Sequence, residues 1–179
     1  LALPAAQSVP GAARIDAESV DAVWLWDISS GREIYSREWK AMLGFADAEV
    51  GESADEWRKR VHPDDLAPAL AAINRARQPT ANGFQIDHRL RHRDGKWRWI
   101  RSRGHVVERD ADGEALRMVG IDRDISVIRE LQLQLDEREG LLAMAERLSG
   151  LGYWTWDPGS DHVRWSAGMY RAFGLPPGV

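Results

Sequence analysis

Arg93-Asp94-Gly95-Lys96-Trp97-Arg98-Trp99-Ile100-Arg101-Ser102-Arg103-Gly104 is the stretch that decides the fold. Asp94-Gly95 is a tight-turn signal of the kind that joins two antiparallel strands. The segment after the turn departs from the simple alternation of a strand with one dry and one wet face. Trp97 and Trp99 share one face, yet Ile100, Gly104 and Val106 belong to the other. Both faces of this strand therefore call for cover.

Working outward, the strand before the turn alternates cleanly. Phe84, Ile86, His88 and Leu90 face one way, and Gln85, Asp87, Arg89 and Arg91 face the other. After the long strand, Asp110-Ala111-Asp112-Gly113 is a second turn, and residues 114–125 (EALRMVGIDRDI) form a third strand. Toward the N-terminus, residues 12–23 predict a short amphipathic lead-in helix. VWLWDI and REIYS then make a hairpin around Ser29-Ser30-Gly31. Ser36 suits the N-cap of a short helix that ends near Gly44. ADEWRKRV is a helical turn, and His62-Pro63-Asp64-Asp65-Leu66 opens a longer helix to about Arg77, closed by Pro79 and Gly83. Two strands, short helices, then a three-stranded meander predict an α+β fold, an antiparallel sheet with helices on one face.

Composition narrows the function classes. The 179-residue chain carries a net charge of −4, so it has no basic footprint for nucleic acid. No apolar run reaches the roughly 18 residues of a membrane span, and the first residues do not read as a signal peptide. The absence of an initiator Met reads as a segment cut from a longer protein, and a cytoplasmic setting fits. With no cysteine, disulfides, thiolate metal sites and cysteine-adduct photochemistry are excluded. No catalytic constellation and no metal-ligand set is visible, so this segment is not expected to be an enzyme.

The nine tryptophans expose an internal repeat. At an offset of 130, Trp24 meets Trp154, Trp26 meets Trp156, Asp27 meets Asp157, Tyr35 meets Trp165, Ser36 meets Ser166 and Gly44 meets Gly174. The expected organisation is a linker over 1–13, a complete domain over 14–125, a helix over 126–150 and the opening of a second, similar domain over 151–179. In the helix, Ile128, Leu131, Leu135, Leu142 and Ala145 fall near a 3,4 spacing, with Arg138 off pattern. Two readings stay open for it: a two-stranded coiled coil of about three heptads, and a lone amphipathic helix.

The order of these features resembles a PAS domain with its C-terminal PAC motif. The residues that carry the likeness are VHPDDL, HRLRHRDGKWRWIRSRG, DADG and RMVGIDRDIS, across about residues 20 to 127. The resemblance implies a five-stranded sensor module of a bacterial signalling protein, followed by a signalling helix. The downstream effector would be a cyclic-di-GMP synthase or phosphodiesterase, or a histidine kinase. It also implies that one sheet face closes over a pocket capped by helices. The other would be covered by the lead-in helix or a partner subunit, in a homodimer paired through lead-in helix, outer sheet face and signalling helix.

On that basis the expected pocket residues are Trp26, Trp39, Met42, Trp57, Ile73, His88, Leu90, Ser102 and Met118, with a filled, ligand-free core as the alternative. Haem would need an imidazole from His62, His88, His92 or His105. Only His88 sits on an inward strand position, where a lone histidine is usually a hydrogen-bonded core residue. A non-covalent flavin is the other cofactor option, and no cofactor at all the simplest. Asp124, at the end of the last strand, is expected to cap the signalling helix and to pair with Arg98 or Arg101, relaying a signal. The different-class alternative is a structural dimerisation spacer.

Overall fold

The computed structural model describes residues 22–81 and 83–176. Contacts divide the chain into two units that meet at Ser126 and Val127. In the first, strands β1 (Ala22–Asp27), β2 (Arg32–Tyr35), β3 (Gly83–Arg91), β4 (Trp97–Arg109) and β5 (Ala115–Asp124) form one antiparallel sheet in the order β2-β1-β5-β4-β3. Between β2 and β3 run α1 (Arg37–Met42), a single 3-10 turn (Asp47–Glu49), α2 (Ala54–Arg58) and α3 (Pro63–Arg77). Most of the predicted lead-in helix lies outside the described residues. Its last two positions, Ala22 and Val23, belong instead to β1, because their backbone pairs with β5 at Asp122 and Ile121.

The opening stretch is resolved by strand parity. Ile100, Ser102 and Gly104 are buried beneath the helices, while Trp97 and Trp99 stand on the outer face. Outer-face cover is partial: His62 packs edge-on to Trp97 at 4.5 Å, Arg89 lies over Trp99, and Trp97 stays 40% exposed.

One cross-strand row on the inner face sets the geometry of the whole domain. Tyr35, Trp24, Gly120, Gly104 and Phe84 are successive register partners across all five strands. The Trp24 indole lies flat over the two glycines and stacks on Phe84, with ring centroids 6.1 Å apart. Neither glycine is needed for a turn; each is needed because the indole occupies the space of a side chain. Trp39, Leu43, Leu90, Ile100 and Met118 complete a solvent-free core around this row.

The helices are short and individually weak, so their ends are pinned. Ser36 Oγ accepts the backbone N–H of Trp39 at 3.2 Å and that of Val23 at 3.1 Å, starting α1 and tying it to β1. Helix α3 begins with His62 Nδ1 accepting from Asp64 N, then Pro63 at the first helical position. Asp65 accepts from Nε and Nη2 of the Arg89 guanidinium and from the Arg89 backbone N–H, fixing the start of α3 to β3. At the other end, the Arg109 guanidinium donates to the carbonyls of Arg77, Gln78, Ala81 and Gly113. Ala69, Ala72 and Ala76 face the sheet, so α3 lies close upon it.

The second unit contains α4 (Ser126–Ser149), a hairpin of β6 (Trp154–Asp157) and β7 (His162–Trp165), and α5 (Ala167–Ala172). Helix α4 is continuous through Gly140 and buries none of its residues. The hairpin and α5 reproduce β1, β2 and α1 in detail. Ser166 Oγ accepts from Met169 N and Tyr153 N, as Ser36 does from Trp39 N and Val23 N, and Gly174 takes a left-handed φ of 67° against 79° at Gly44. Residues 152–175 are thus an ordered hairpin and helix, with Trp154, Trp156 and Phe173 exposed.

A methyl group at Gly120 would collide with Trp24 and with the carbonyl of Arg103. Gly120→Ala is expected to destabilise the domain by about 1–3 kcal/mol through overpacking. A lowered urea midpoint at unchanged slope is the expected result. An unchanged midpoint would mean that the indole is not seated as described.

Candidate functional site

A cavity of about 100 Å³ lies between the inner sheet face and the helices. Its walls are indole-rich: Trp24, Trp26, Trp39 and Trp57, with Tyr35 and Phe84. Helix α3 supplies Leu70, Ile73, Asn74 and Arg77, held over the opening by the clamps at Asp65 and Arg109. An apolar cavity of ~150 Å³ accommodates benzene, so this one has room for several waters or a ligand of roughly half a dozen non-hydrogen atoms.

The polar end of the cavity is built around Asp122. Its Oδ1 accepts from Trp24 Nε1 at 3.0 Å and from Ser102 Oγ at 2.5 Å, and its Oδ2 accepts from Trp39 Nε1 at 2.8 Å. Ser102 is its direct cross-strand partner, and Trp24 is on the next strand over. The carboxyl is 2% exposed. Burial raises its pKa to about 6, with the Ser102, Trp39 and Trp24 donors pulling the other way. Three donors on a carboxylate leave about one lone-pair site unused.

Glu33 is the second buried carboxyl, 9% exposed, on the inner face of β2. Burial pushes its pKa up to about 8; the Tyr35 hydroxyl and Arg58 oppose this, and the Asp122 charge adds to it. No cation among the described residues stands within ion-pair distance of either carboxyl. Arg58 pairs with Asp55 at 3.5 Å and its side chain is 49% exposed, while Arg77 lies over the Trp26 ring at 5.7 Å. Charge is therefore layered by depth, with carboxyls inside and guanidiniums toward the rim.

Of the residues expected at the pocket, Trp26, Trp39, Trp57, Ile73 and Ser102 line it. Four do not. Leu90 and Met118 are fully buried in the packed core, Met42 packs against that core, and His88, buried on the inner face of β3, accepts at Nε2 from Trp57 Nε1 at 3.0 Å. That bond uses the one imidazole nitrogen of His88 that has a partner, while Nδ1 is buried without one among the described residues. His62 caps α3, His92 accepts from Asp94 N in the β3–β4 turn, and His105 is on the outer face of β4. No group of three or more potential metal ligands occurs among the described residues.

Sequence reading missed Glu33 and Asp122. The signal was present: Asp122 has the strand parity of Met118, and Glu33 that of Tyr35, so alternation alone puts each acid on the apolar face.

At the helix root Asp124 takes the expected place at the start of α4, but without the expected guanidinium partner. Asp124 Oδ1 accepts Ser126 N at 2.8 Å, the Ser126 hydroxyl accepts Trp99 N, and Ile125 N donates to the Trp99 carbonyl. The expected guanidinium partners are engaged elsewhere. Arg101 forms a two-pronged pair with Asp87, its register partner on β3, and Arg98 reaches back to Asp94 in the turn. Parity is the reason for Arg101: Asp124 is opposite Ile100, so the next residue on β4 faces away.

The buried acids make stability depend on pH. Glu33 titrates near 4.5 when exposed and near 8 in the fold, so the native state keeps a proton that the unfolded chain releases, and stability falls as pH rises through that window. Asp122 acts in the same direction up to about 6, whereas burial of His88 lowers its pKa from 6.5 to about 4 and acts in the opposite direction below 6.5. Between pH 6.5 and 8 the Glu33 contribution remains. Unfolding free energy is expected to decline across that interval by on the order of 1 kcal/mol, and Glu33→Gln is expected to remove the decline. Urea titrations at both pH values check it; an unaltered decline in the variant places the proton elsewhere.

Residues 33–122, half of the chain, match the family described as PAS fold. No curated protein matches the chain. Among solved structures, it is similar to a sensory box histidine kinase/response regulator from Burkholderia thailandensis E264, at 28% identity over 73% of this chain and 92% of that one, with a TM-score of 0.55. It is also similar to the N-terminal domain of a diguanylate cyclase with PAS/PAC sensor from Marinobacter aquaeolei, at 27% identity over 61% and 98%, with a TM-score of 0.54. An RNA-binding light-oxygen-voltage receptor shares the fold at 21% identity over 74% and 35%, with a TM-score of 0.54. With its strand order, its helices gathered over one sheet face and the family match across β2 to β5, the chain belongs to the PAS fold family.

Proposed function

We propose that this domain is the sensory module of a bacterial, cytoplasmic signalling protein. It perceives a small ligand in the cavity and relays occupancy through α4 to an effector in the same chain. One observation carries the reading: Asp122, in the cavity wall, and Asp124, at the root of α4, are two residues apart on one strand. A ligand that shifts Asp122 shifts the point where the helix is anchored, by as much as its affinity differs between the two states. The effector is a histidine kinase or an enzyme of cyclic-di-GMP turnover, in line with the two solved neighbours above 25% identity. The β6–β7–α5 segment is read as the opening of a second PAS domain, and the end of β3 through β5 as the PAC motif of the first.

A second reading, a dimerisation spacer, draws support from α4. Ile128, Leu131, Leu135 and Leu142 are each more than half exposed, and two such helices side by side would cover them as a parallel coiled coil. The two readings are compatible, since a homodimeric helix pair is also a means of transmission.

Two outcomes are expected. The chain sediments as a dimer at micromolar concentration, and Leu131→Glu with Leu135→Glu makes it monomeric; a monomeric parent chain would sink the homodimer. In the full-length protein, Asp124→Ala alters basal or stimulated output, whether phosphotransfer or cyclic-dinucleotide turnover. Loss of that one side-chain cap costs about 1 kcal/mol, too little to unfold the domain. Unaltered output in both conditions would remove the helix root from the relay.

A further inference from the structure

Two carboxyls in one aromatic cavity, with no cation beside them, ask for a counter-charge. Glu33 is nine-tenths buried with no ion-pair partner among the described residues, and the neighbouring Tyr35 hydroxyl donates to the Ser53 carbonyl at 3.2 Å. Asp122 is deeper still and keeps about one lone-pair site open beside its three donors. The remaining wall is rich in indole and phenol rings, alongside aliphatic Leu70, Ile73 and Ile86, and the faces of such rings attract cations electrostatically. Carboxyls and ring faces together form a receptor for an ammonium group. The rim carries the opposite sign: Arg58 and Arg77 line the same cavity, farther out, and Asn74 adds an amide. A simple amine would satisfy the deep end and be repelled at the rim. A carboxylic acid would be held at the rim and would leave the deep end unmatched.

Resting on the reading of the cavity as a ligand site, we propose that it takes a small aminocarboxylate. The ammonium sits against Glu33 and Asp122 within the ring walls, and the carboxylate meets Arg58 and Arg77 at the rim. The cavity volume limits the part enclosed to roughly half a dozen non-hydrogen atoms, the size of a small amino acid. Glu33 holds a proton at neutral pH in the empty cavity, so seating an ammonium beside it releases that proton to solvent. The groups facing Glu33 are Tyr35 on its own strand, Asp122 on β5 and Arg58 on α2. A neutral ligand would leave the proton in place.

The test uses the intact 179-residue chain at pH 7.5 with four probe classes: the standard small amino acids and 4-aminobutyrate, ethylamine, propionate, and propionamide. Calorimetry and native mass spectrometry read binding, and calorimetry in two buffers of different ionisation enthalpy reads proton release. The expected result is that at least one aminocarboxylate binds more tightly than ethylamine, propionate or propionamide, and binds with proton release. Glu33→Gln weakens it by about tenfold or more, the loss of one charge-assisted contact, and abolishes the proton release. Arg77→Ala, a rim change that leaves the core intact, weakens the aminocarboxylate but not ethylamine. If propionate or propionamide binds as well as any aminocarboxylate, or if Glu33→Gln leaves affinity unchanged, the inference is overturned while the ligand cavity stands. If no probe of any class binds by either method, the cavity reading itself falls with it.

Discussion

The first domain depends on a single buried charge and the three groups that make its burial tolerable. A carboxylate removed from water is strongly unfavourable unless it is hydrogen-bonded. Asp122 recruits Trp24 from β1, Trp39 from α1 and Ser102 from β4. Those three bonds join β5 to a strand on each side and to the helix above. They also fix two large indoles by their nitrogen atoms, and the rest of the inner face is arranged around where those rings lie. Gly104 and Gly120 are small because Trp24 lies over them, and α1 starts at Ser36 at the place that carries Trp39 to the carboxylate.

How much of this was legible in the sequence follows from the range of the forces involved. Strands β3 to β5 were legible because alternation and turn chemistry are local: Phe84 to Leu90 alternates, and Asp94-Gly95 and Asp112-Gly113 mark the turns. The start of α3 was legible from His62-Pro63-Asp64-Asp65 for the same reason. The pocket was legible only in part, because facing inward and reaching the cavity are different things. Leu90 and Met118 face inward yet are covered by neighbouring side chains, and His88 is turned toward Trp57 by a contact across 31 residues. The pairing of Arg101 with Asp87 rather than Asp124 is a matter of cross-strand register, which no single strand declares. The two buried acids escaped notice because charge is ordinarily assigned to the wet face, and these two are the exceptions that mark the site.

The repeat shows how the same local code can be kept while the site is changed. The hairpin, the serine cap and the left-handed glycine recur in the second unit almost bond for bond. At the positions of Trp39 and Glu33, however, stand Met169 and Val163. Met169 offers no N–H to a buried carboxylate, and Val163 offers no carboxyl. The framework residues are those whose hydrogen bonds are made within the hairpin and its helix. The residues that differ are those whose partners in the first domain lie on distant strands or in the cavity.

The placement of the indoles has an optical consequence. Four of the nine tryptophans line the cavity, and two of these, Trp24 and Trp39, share the Asp122 carboxylate through their ring nitrogens. Indole emission responds to nearby charge and to the polarity around the ring. Trp154 and Trp156 in the second unit are more than half exposed and would emit at longer wavelength. The short-wavelength side of the emission spectrum therefore belongs largely to the cavity wall, and the molecule carries its own label for whatever enters there.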